Sequence, residues 1–96
     1  MIKVSVMYPS GDDSTFDMDY YRAKHVEIVN RVLKPTRFDI DKGIDGQPYM
    51  VVAHLWFDST EAMQAGMGSP DAAEVMADVP NYTTIQPVMQ TSEIVA

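Results

Sequence analysis

The sequence predicts a single α+β domain, spanning residues 1–96, with the ferredoxin-like order β-α-β-β-α-β. Three observations lead to this fold class. Four segments have the length and apolar content of strands, two intervals carry helical spacing or helix caps, and Gly, Pro and Asn separate them. Right-handed crossovers would place the helices on one face of a four-stranded antiparallel sheet and leave the other face uncovered.

The first strand and the first helix are predicted from their apolar spacing. Alternation indicates a strand over residues 2–8, and a loop follows over residues 9–14. A helix is expected over residues 17–34, with Asp17 as its N-cap and Pro35 ending it. Its apolar side chains fall on one stripe roughly 100° wide, formed by Met18, Tyr21, His25, Ile28, Val29 and Val32.

Two strands are expected in the middle of the chain. Residues 36–43 alternate between charged and apolar side chains, which is typical of an edge strand. Residues 49–57 are almost continuously apolar, which predicts a central strand buried on both faces. Glycines and a proline between these segments indicate a turn.

The last third of the chain predicts a broken helix and a final strand. Either Asp58 or Ser59 caps a helix that extends to about residue 67. A further helix restarts with Pro70 at its first position and ends near residue 78. The last strand is expected over residues 83–95, and Pro87 within it indicates an edge or a bulge.

Composition excludes several classes of function. The net charge is −7 and no Lys/Arg cluster interrupts it, so neither nucleic acid nor an anionic membrane is an expected partner. The chain has no cysteine, which excludes disulfides, thiol nucleophiles and Cys-based zinc sites. No apolar run is long enough for a membrane span, and strand-like sequence begins at the first residues instead of a signal peptide. A cytoplasmic location is therefore expected.

The apolar content suggests a homodimer. Hydrophobic residues make up 46% of the chain and eight residues are Met, a generous supply for one small domain. An uncovered apolar sheet face needs a partner, and a second copy stacked about a two-fold axis would cover both faces at once. A well-filled core within one chain is the alternative interpretation.

Tyr21 and His25 are the first candidates for chemistry. They lie four residues apart on the apolar stripe, so their side chains share one face of the helix. A histidine in an apolar interior needs a partner for its ring nitrogens, and its pKa near neutrality suits a general acid or base. The alternative is a core histidine bonded to a tyrosine or a carbonyl group.

His54 and Trp56 are a second candidate pair, on one face of the third strand. They could line a pocket or a dimer interface, or simply pack. The carboxylates are scattered, and no pair has a spacing that demands acid–base chemistry. Two histidines on different elements do not suggest zinc, and no Gly-rich phosphate loop is present. No metal and no cofactor are expected.

Several segments resemble the EthD family, named for ethyl tert-butyl ether degradation. The similarity covers essentially the whole chain, and the stretch around the first helix matches a family pattern of Phe, two adjacent Tyr and a His. Glu27 is a departure, because many relatives carry Pro after the histidine. The quoted segments are Tyr8-Pro9, Phe16–Val29, Phe57–Met63, Ser69-Pro70, Asp78–Thr83 and Pro87–Met89.

The resemblance implies a dimeric α+β barrel fold with a pocket for a small apolar or aromatic molecule. Relatives in the superfamily include cofactor-free monooxygenases, a muconolactone isomerase, polyketide cyclases and haem-using enzymes, and in several a first-helix histidine acts on the ligand. His25 matches that position. Tyr21 is expected to be its orienting or hydrogen-bonding partner. The isomerase-like relatives use a cysteine, which this chain lacks.

The function expected from sequence is a cofactor-independent enzyme of small hydrophobic or aromatic metabolites, with His25 as general acid/base. A non-catalytic accessory protein that sequesters such a molecule is the alternative. Tyr8, His54 and Trp56 are the expected substrate-binding wall residues. The sequence leaves open which strand face meets the helices.

Overall fold

A computed structural model describes all of residues 1–96 and contains one antiparallel sheet with strand order β2-β3-β1-β4. β1 and β3 lie in the centre, and β2 and β4 form the edges. This arrangement confirms the predicted ferredoxin-like α+β class. The strands are β1 Ile2–Pro9, β2 Arg37–Lys42, β3 Tyr49–Phe57 and β4 Val88–Glu93.

The helices cover one face of this sheet. Along β3 the odd-numbered side chains from Val51 to Phe57 are buried, while the even-numbered ones are only half-buried. In the register of the sheet, Val4 of β1 lies opposite Leu55, and Tyr8 lies opposite Val51. These side chains therefore form the helix-covered face, and the alternate positions form what we call the outer face.

The first helix spans residues 18–32 and begins where the sequence predicted. Asp17 caps it, because the backbone N–H of Tyr20 donates to the Asp17 carboxylate at 3.0 Å. The helix ends after Val32, shortly before Lys34, which adopts a left-handed φ of 51°, and Pro35. The predicted end near residue 34 therefore lay slightly too far along the chain.

The middle of this helix departs from the regular α-helix that the apolar stripe predicted. The segments Met18–Tyr20 and Val26–Val32 are α-helical, but Tyr21–His25 forms a π-helical turn. In that turn the backbone N–H of Val26 donates to the carbonyl of Tyr21. Single π turns inside α-helices often occur at functional sites. Both residues at the ends of this turn are buried.

Two shorter helices, Thr60–Met67 and Ala72–Asp78, follow β3, and a 3-10 turn over Val79–Asn81 completes the crossover. Ser59 caps the first of them, because its hydroxyl accepts from the N–H of Ala62 at 3.1 Å. The second begins after Asp71, so the prediction of Pro70 at its first position was wrong.

The start of the last strand was also predicted wrongly. β4 begins at Val88 and not at residue 83, because Thr83 forms an isolated bridge with Phe16. The Thr83 hydroxyl donates to the carbonyl of Thr15 at 2.6 Å, which ties this segment to the entrance of the first helix. Pro87 has no N–H to donate and lies immediately before the strand.

The interior contains two apolar clusters. One packs the end of the first helix against the centre of the sheet around Val29, Leu55 and Phe57. The other is aromatic and joins Tyr8, Tyr21 and Tyr82 around Val51. None of the helices is long and apolar enough to cross a membrane.

Candidate functional site

An apolar cavity of about 220 Å³ lies between the sheet and the helices. Its walls come from β1 and β3 below and from the first helix and the Ala72–Asp78 helix above. Of the 18 lining residues 16 are hydrophobic, and His25 is the only one with a side chain that titrates near neutral pH. Such a mostly apolar chamber with few polar groups is the usual form of a small-ligand site.

His25 is held in this wall by Asp78. The ring Nδ1 of His25 lies 2.9 Å from Asp78 Oδ2, and both residues are buried. An ionised carboxylate can only accept hydrogen bonds, so Nδ1 carries the proton of the neutral ring and donates it to Asp78. This bond fixes the orientation of the imidazole and its tautomer.

Asp78 is the centre of a small polar network. The Tyr20 hydroxyl donates to its Oδ1 at 2.6 Å, and the Asn81 amide donates to the same oxygen at 3.0 Å. Burial by itself would raise the pKa of Asp78, but the hydrogen bonds from Asn81, Tyr20 and His25 outweigh it and lower the pKa. Asp78 therefore remains a carboxylate under ordinary conditions.

The second ring nitrogen of His25 is free. Nε2 has no hydrogen-bond partner in the protein, and it keeps some accessible surface. Burial lowers the pKa of His25, and Asp78 offsets this only in part. A neutral imidazole with an available Nε2 lone pair is the form required of a general base.

Aromatic rings enclose the imidazole on two sides. The Tyr21 ring centroid lies 4.9 Å from that of His25 at an interplanar angle of 34°, and the Tyr82 centroid lies 4.6 Å away. Tyr21 thus packs on His25 instead of bonding its nitrogens; the hydrogen-bonding partner is Asp78. These rings leave the imidazole little room to rotate.

Phenol hydroxyls form the other polar feature of the chamber. The hydroxyls of Tyr8 and Tyr82 lie 2.7 Å apart and bond to each other. Burial raises the pKa of Tyr8, Tyr21 and Tyr82, so all three remain protonated. Each phenol also lines the cavity beside His25.

The structure separates the three residues that the sequence predicted as walls of the pocket. Tyr8 lines the cavity as expected, whereas His54 and Trp56 lie on the outer face of the sheet and outside the cavity. There His54 Nε2 lies 2.8 Å from Asp41 Oδ2, and Arg37 stacks 4.9 Å from the Trp56 ring centroid. Tyr8, Tyr21 and His25 are brought together; the other two are not.

Two residues of the site, Asp78 and Tyr82, are not predicted by the sequence. Asp78 counts there only as one of the scattered carboxylates with no acid–base role, and Tyr82 belongs only to a segment that resembles the family. Asp78, Asn81 and Tyr82 stand at positions i, i+3 and i+4, the spacing at which side chains share one side of a helical turn. That spacing is the feature of the sequence that indicates a shared site for these three side chains.

No group of three or more His, Cys, Asp or Glu side chains comes together as a metal-binding set. The polar atoms around the cavity are one imidazole and phenol hydroxyls, which suit hydrogen bonding to an organic molecule.

Fold and cavity define a ferredoxin-like α+β protein with an apolar pocket between its sheet and its helices. A model of the EthD domain matches residues 10–86, and the chain belongs to the EthD family. A relative from Rhodococcus erythropolis, an 11.0 kDa protein of the thcB–thcC intergenic region, is 30% identical over 89 residues. The alignment covers 88% of this chain and 85% of that protein.

Solved structures agree with this assignment. An EthD-like protein from Ralstonia eutropha JMP134 is 34% identical and superposes with a TM-score of 0.86, covering 99% of this chain and 92% of that one. A Bacteroides fragilis protein described as dimeric and ferredoxin-like is 9% identical, with a TM-score of 0.61 and coverages of 97% and 95%. The second likeness concerns the fold alone.

Proposed function

We propose that this protein is a cofactor-independent enzyme that binds a small hydrophobic or aromatic molecule in the cavity and transfers a proton through His25. The observation that carries the proposal is the free, accessible Nε2 of a buried histidine in an otherwise apolar wall. A polar nitrogen left unpaired in such a place costs about 1–3 kcal/mol, which apolar packing would avoid.

Asp78 would support the chemistry without touching the substrate. When Nε2 takes a proton, the imidazole becomes a cation, and the carboxylate at 2.9 Å from Nδ1 stabilises that charge. The hydrogen bonds to Asp78 from Tyr20 and Asn81 keep the carboxylate in place. Tyr21 would orient the imidazole through ring packing.

The cavity volume suits a small ligand. About 220 Å³ corresponds to the liquid volume of about seven water molecules, which is below the range of pockets for drug-sized compounds. No Lys or Arg lines the cavity, so nothing there would balance the charge of an anionic group. An uncharged ligand is therefore favoured.

The working form would be a homodimer that joins two outer faces. Trp56, Val52 and Met7 are half-buried on the two central strands of that face. Ser5 and His54 lie between them, and Asp39 and Asp41 lie along the β2 edge. Such a mixture of apolar and polar side chains is the common composition of interfaces between proteins. The dimeric Bacteroides neighbour is consistent with this arrangement. The cytoplasmic location expected from the sequence stays a prediction.

A non-catalytic accessory protein is the second candidate, since an apolar cavity can also sequester a ligand. The carboxylate behind His25 favours the enzyme, because it would stabilise a charged imidazole, which a protein that only sequesters a ligand does not need.

Ligand titration tests the pocket and the histidine together. Uncharged 2-naphthol is titrated into the ¹⁵N-labelled protein while the histidine ring nitrogens are observed by NMR. We expect the Nε2 resonance of His25 to shift, and His25→Ala to weaken binding about tenfold, as for one lost hydrogen bond. His54→Ala is the matched control and should bind normally. Binding that leaves His25 unchanged, or no binding, would contradict the proposal.

A further inference from the structure

The phenols of the cavity have one hydroxyl hydrogen with no acceptor in the protein. Tyr8 and Tyr82 bond to each other, which uses one of their hydrogens. The Tyr21 hydroxyl is a further hydrogen-bond partner of the Tyr8 hydroxyl, so one of the three hydrogens remains. All three residues are at most 4% exposed, so bulk water is not their ordinary partner.

The available groups of the chamber are therefore one donor and one acceptor. The tyrosine cluster can donate its remaining hydrogen, because burial keeps the phenols protonated. His25 Nε2 can only accept, because the proton of the neutral ring is on Nδ1. Tyr8, Tyr21, Tyr82 and His25 all line the one cavity, so both kinds of group border the same small space.

From this juxtaposition we infer that the substrate is an uncharged carbonyl compound with a hydrogen on the carbon next to the carbonyl group. The inference rests on the proposed function and names its substrate class. The tyrosine cluster, Tyr8, Tyr82 and Tyr21, donates its remaining hydroxyl hydrogen to the carbonyl oxygen, and His25 abstracts the neighbouring proton. A carbonyl oxygen is an acceptor without a proton, which matches a donor that has no partner in the protein.

The step is balanced without an oxidant or a reductant. Nε2 takes the proton, and the electron pair of the broken C–H bond becomes the C=C bond of an enolate. The carbonyl π pair moves to oxygen, where the remaining phenol hydrogen stabilises the developing charge. Return of the proton from the imidazolium to the same carbon regenerates the ketone, and return to another carbon of a conjugated enolate gives an isomer.

Hydrogen–deuterium exchange tests the step directly. 2-Tetralone is incubated with the protein in D₂O, and exchange at the carbons beside the carbonyl is followed by proton NMR. Tetralin, which lacks the oxygen, is the matched ligand for binding. We expect the protein to prefer 2-tetralone over tetralin and to accelerate exchange, and His25→Gln to abolish the acceleration.

Variants that lack the phenol hydroxyls test the role of the tyrosine cluster independently of His25. The double variant Tyr8→Phe/Tyr82→Phe keeps both rings and leaves neither hydroxyl orphaned, so folding should be retained. We expect exchange to slow about 10²-fold, the effect typical of losing an oxyanion donor. Tyr21→Phe should slow it as well. Tyr49→Phe is the control, because Tyr49 lies outside the cavity, and its exchange rate should not change.

The outcomes distinguish the two proposals. If 2-tetralone and tetralin bind equally and no exchange is accelerated, the carbonyl inference is wrong while the apolar pocket stands. Exchange at the wild-type rate in the double variant would also overturn the inference. If neither molecule binds, the proposed function itself fails.

Discussion

The chain has two histidine–aspartate pairs with almost the same geometry, one on each face of the sheet. Nδ1 of His25 lies 2.9 Å from Asp78, and Nε2 of His54 lies 2.8 Å from Asp41. The Asp78 side chain is 7% exposed, whereas that of Asp41 is 64% exposed. A histidine bonded to an aspartate therefore does not by itself identify a functional site. The two pairs differ in how far they are buried. A buried pair excludes water and perturbs the proton equilibrium of its histidine, while an exposed pair is screened by solvent.

The largest expected difference between the two pairs is the loss of stability when the aspartate is replaced by Ala. Asp78→Ala leaves His25, Tyr20 and Asn81 without their common acceptor, so we expect the free energy of unfolding to fall by about 3 kcal/mol or more. Asp41→Ala should cost less than about 1 kcal/mol, because its oxygens are solvated. Urea unfolding at one fixed protein concentration measures both. Equal losses would show that burial does not distinguish the pairs.

A charge placed on the outer face of the sheet should weaken the proposed dimer. In the proposed dimer Trp56→Asp buries an unpaired carboxylate, and we expect the dimer to weaken at least about 30-fold, as for a 2 kcal/mol interface residue. Met76→Asp is the control, because Met76 is exposed beside the cavity on the helix side. Light scattering during size-exclusion chromatography at micromolar concentration gives the masses. A monomeric wild-type protein would refute the proposed interface.

Acid should destabilise the protein through the buried pair. The pKa of His25 lies below its ordinary 6.5, so below pH 6.5 the unfolded chain binds a proton that the folded chain does not. Stability is therefore lost as the pH falls from 6.5 towards the folded-state pKa. The lowered pKa of Asp78 acts in the same direction, below its ordinary 3.8.

Two variants measured against pH isolate the contribution of His25. His25→Gln cannot gain a proton, so its unfolding free energy should decline less between pH 7 and pH 5 than that of the wild type. In the control variant His54→Gln, the unfolding free energy should still fall between pH 7 and pH 5 by the amount that His25 causes. Parallel pH profiles for His25→Gln and the wild type would argue against a buried, neutral His25.

The smallest expected effect is the change in stability when His25 is replaced by Leu. His25→Leu places an apolar side chain among Tyr21, Val29 and Tyr82, but it also removes one of the three hydrogen bonds to the buried Asp78 carboxylate. The apolar packing and the lost bond act in opposite directions, so we expect the free energy of unfolding to change by less than about 1 kcal/mol. Differential scanning calorimetry at pH 7 measures it. A strong loss of stability would instead identify His25 as a structural core residue.

The sequence predicted those features that depend on neighbouring residues. The bounds of β3, the Asp17 cap and the position of His25 on the buried side of the first helix all follow from local spacing. The β-α-β-β-α-β order, together with the resemblance around the first helix, sufficed for the fold and the family. Apolar periodicity and capping act over a few residues, so a sequence carries them directly.

The tertiary structure decided which residues meet. Asp78 is 53 residues from His25 along the chain, and Tyr82 is 74 residues from Tyr8. Both contacts depend on the register of the sheet and on how the crossover helices lie across it, which no local pattern encodes. The apolar sequence of β3 likewise does not distinguish its two faces, and only the position of the helices shows which face is buried. The cavity faces His25 and not His54 for that reason: burial is a property of the packed layers and not of either histidine's own neighbours.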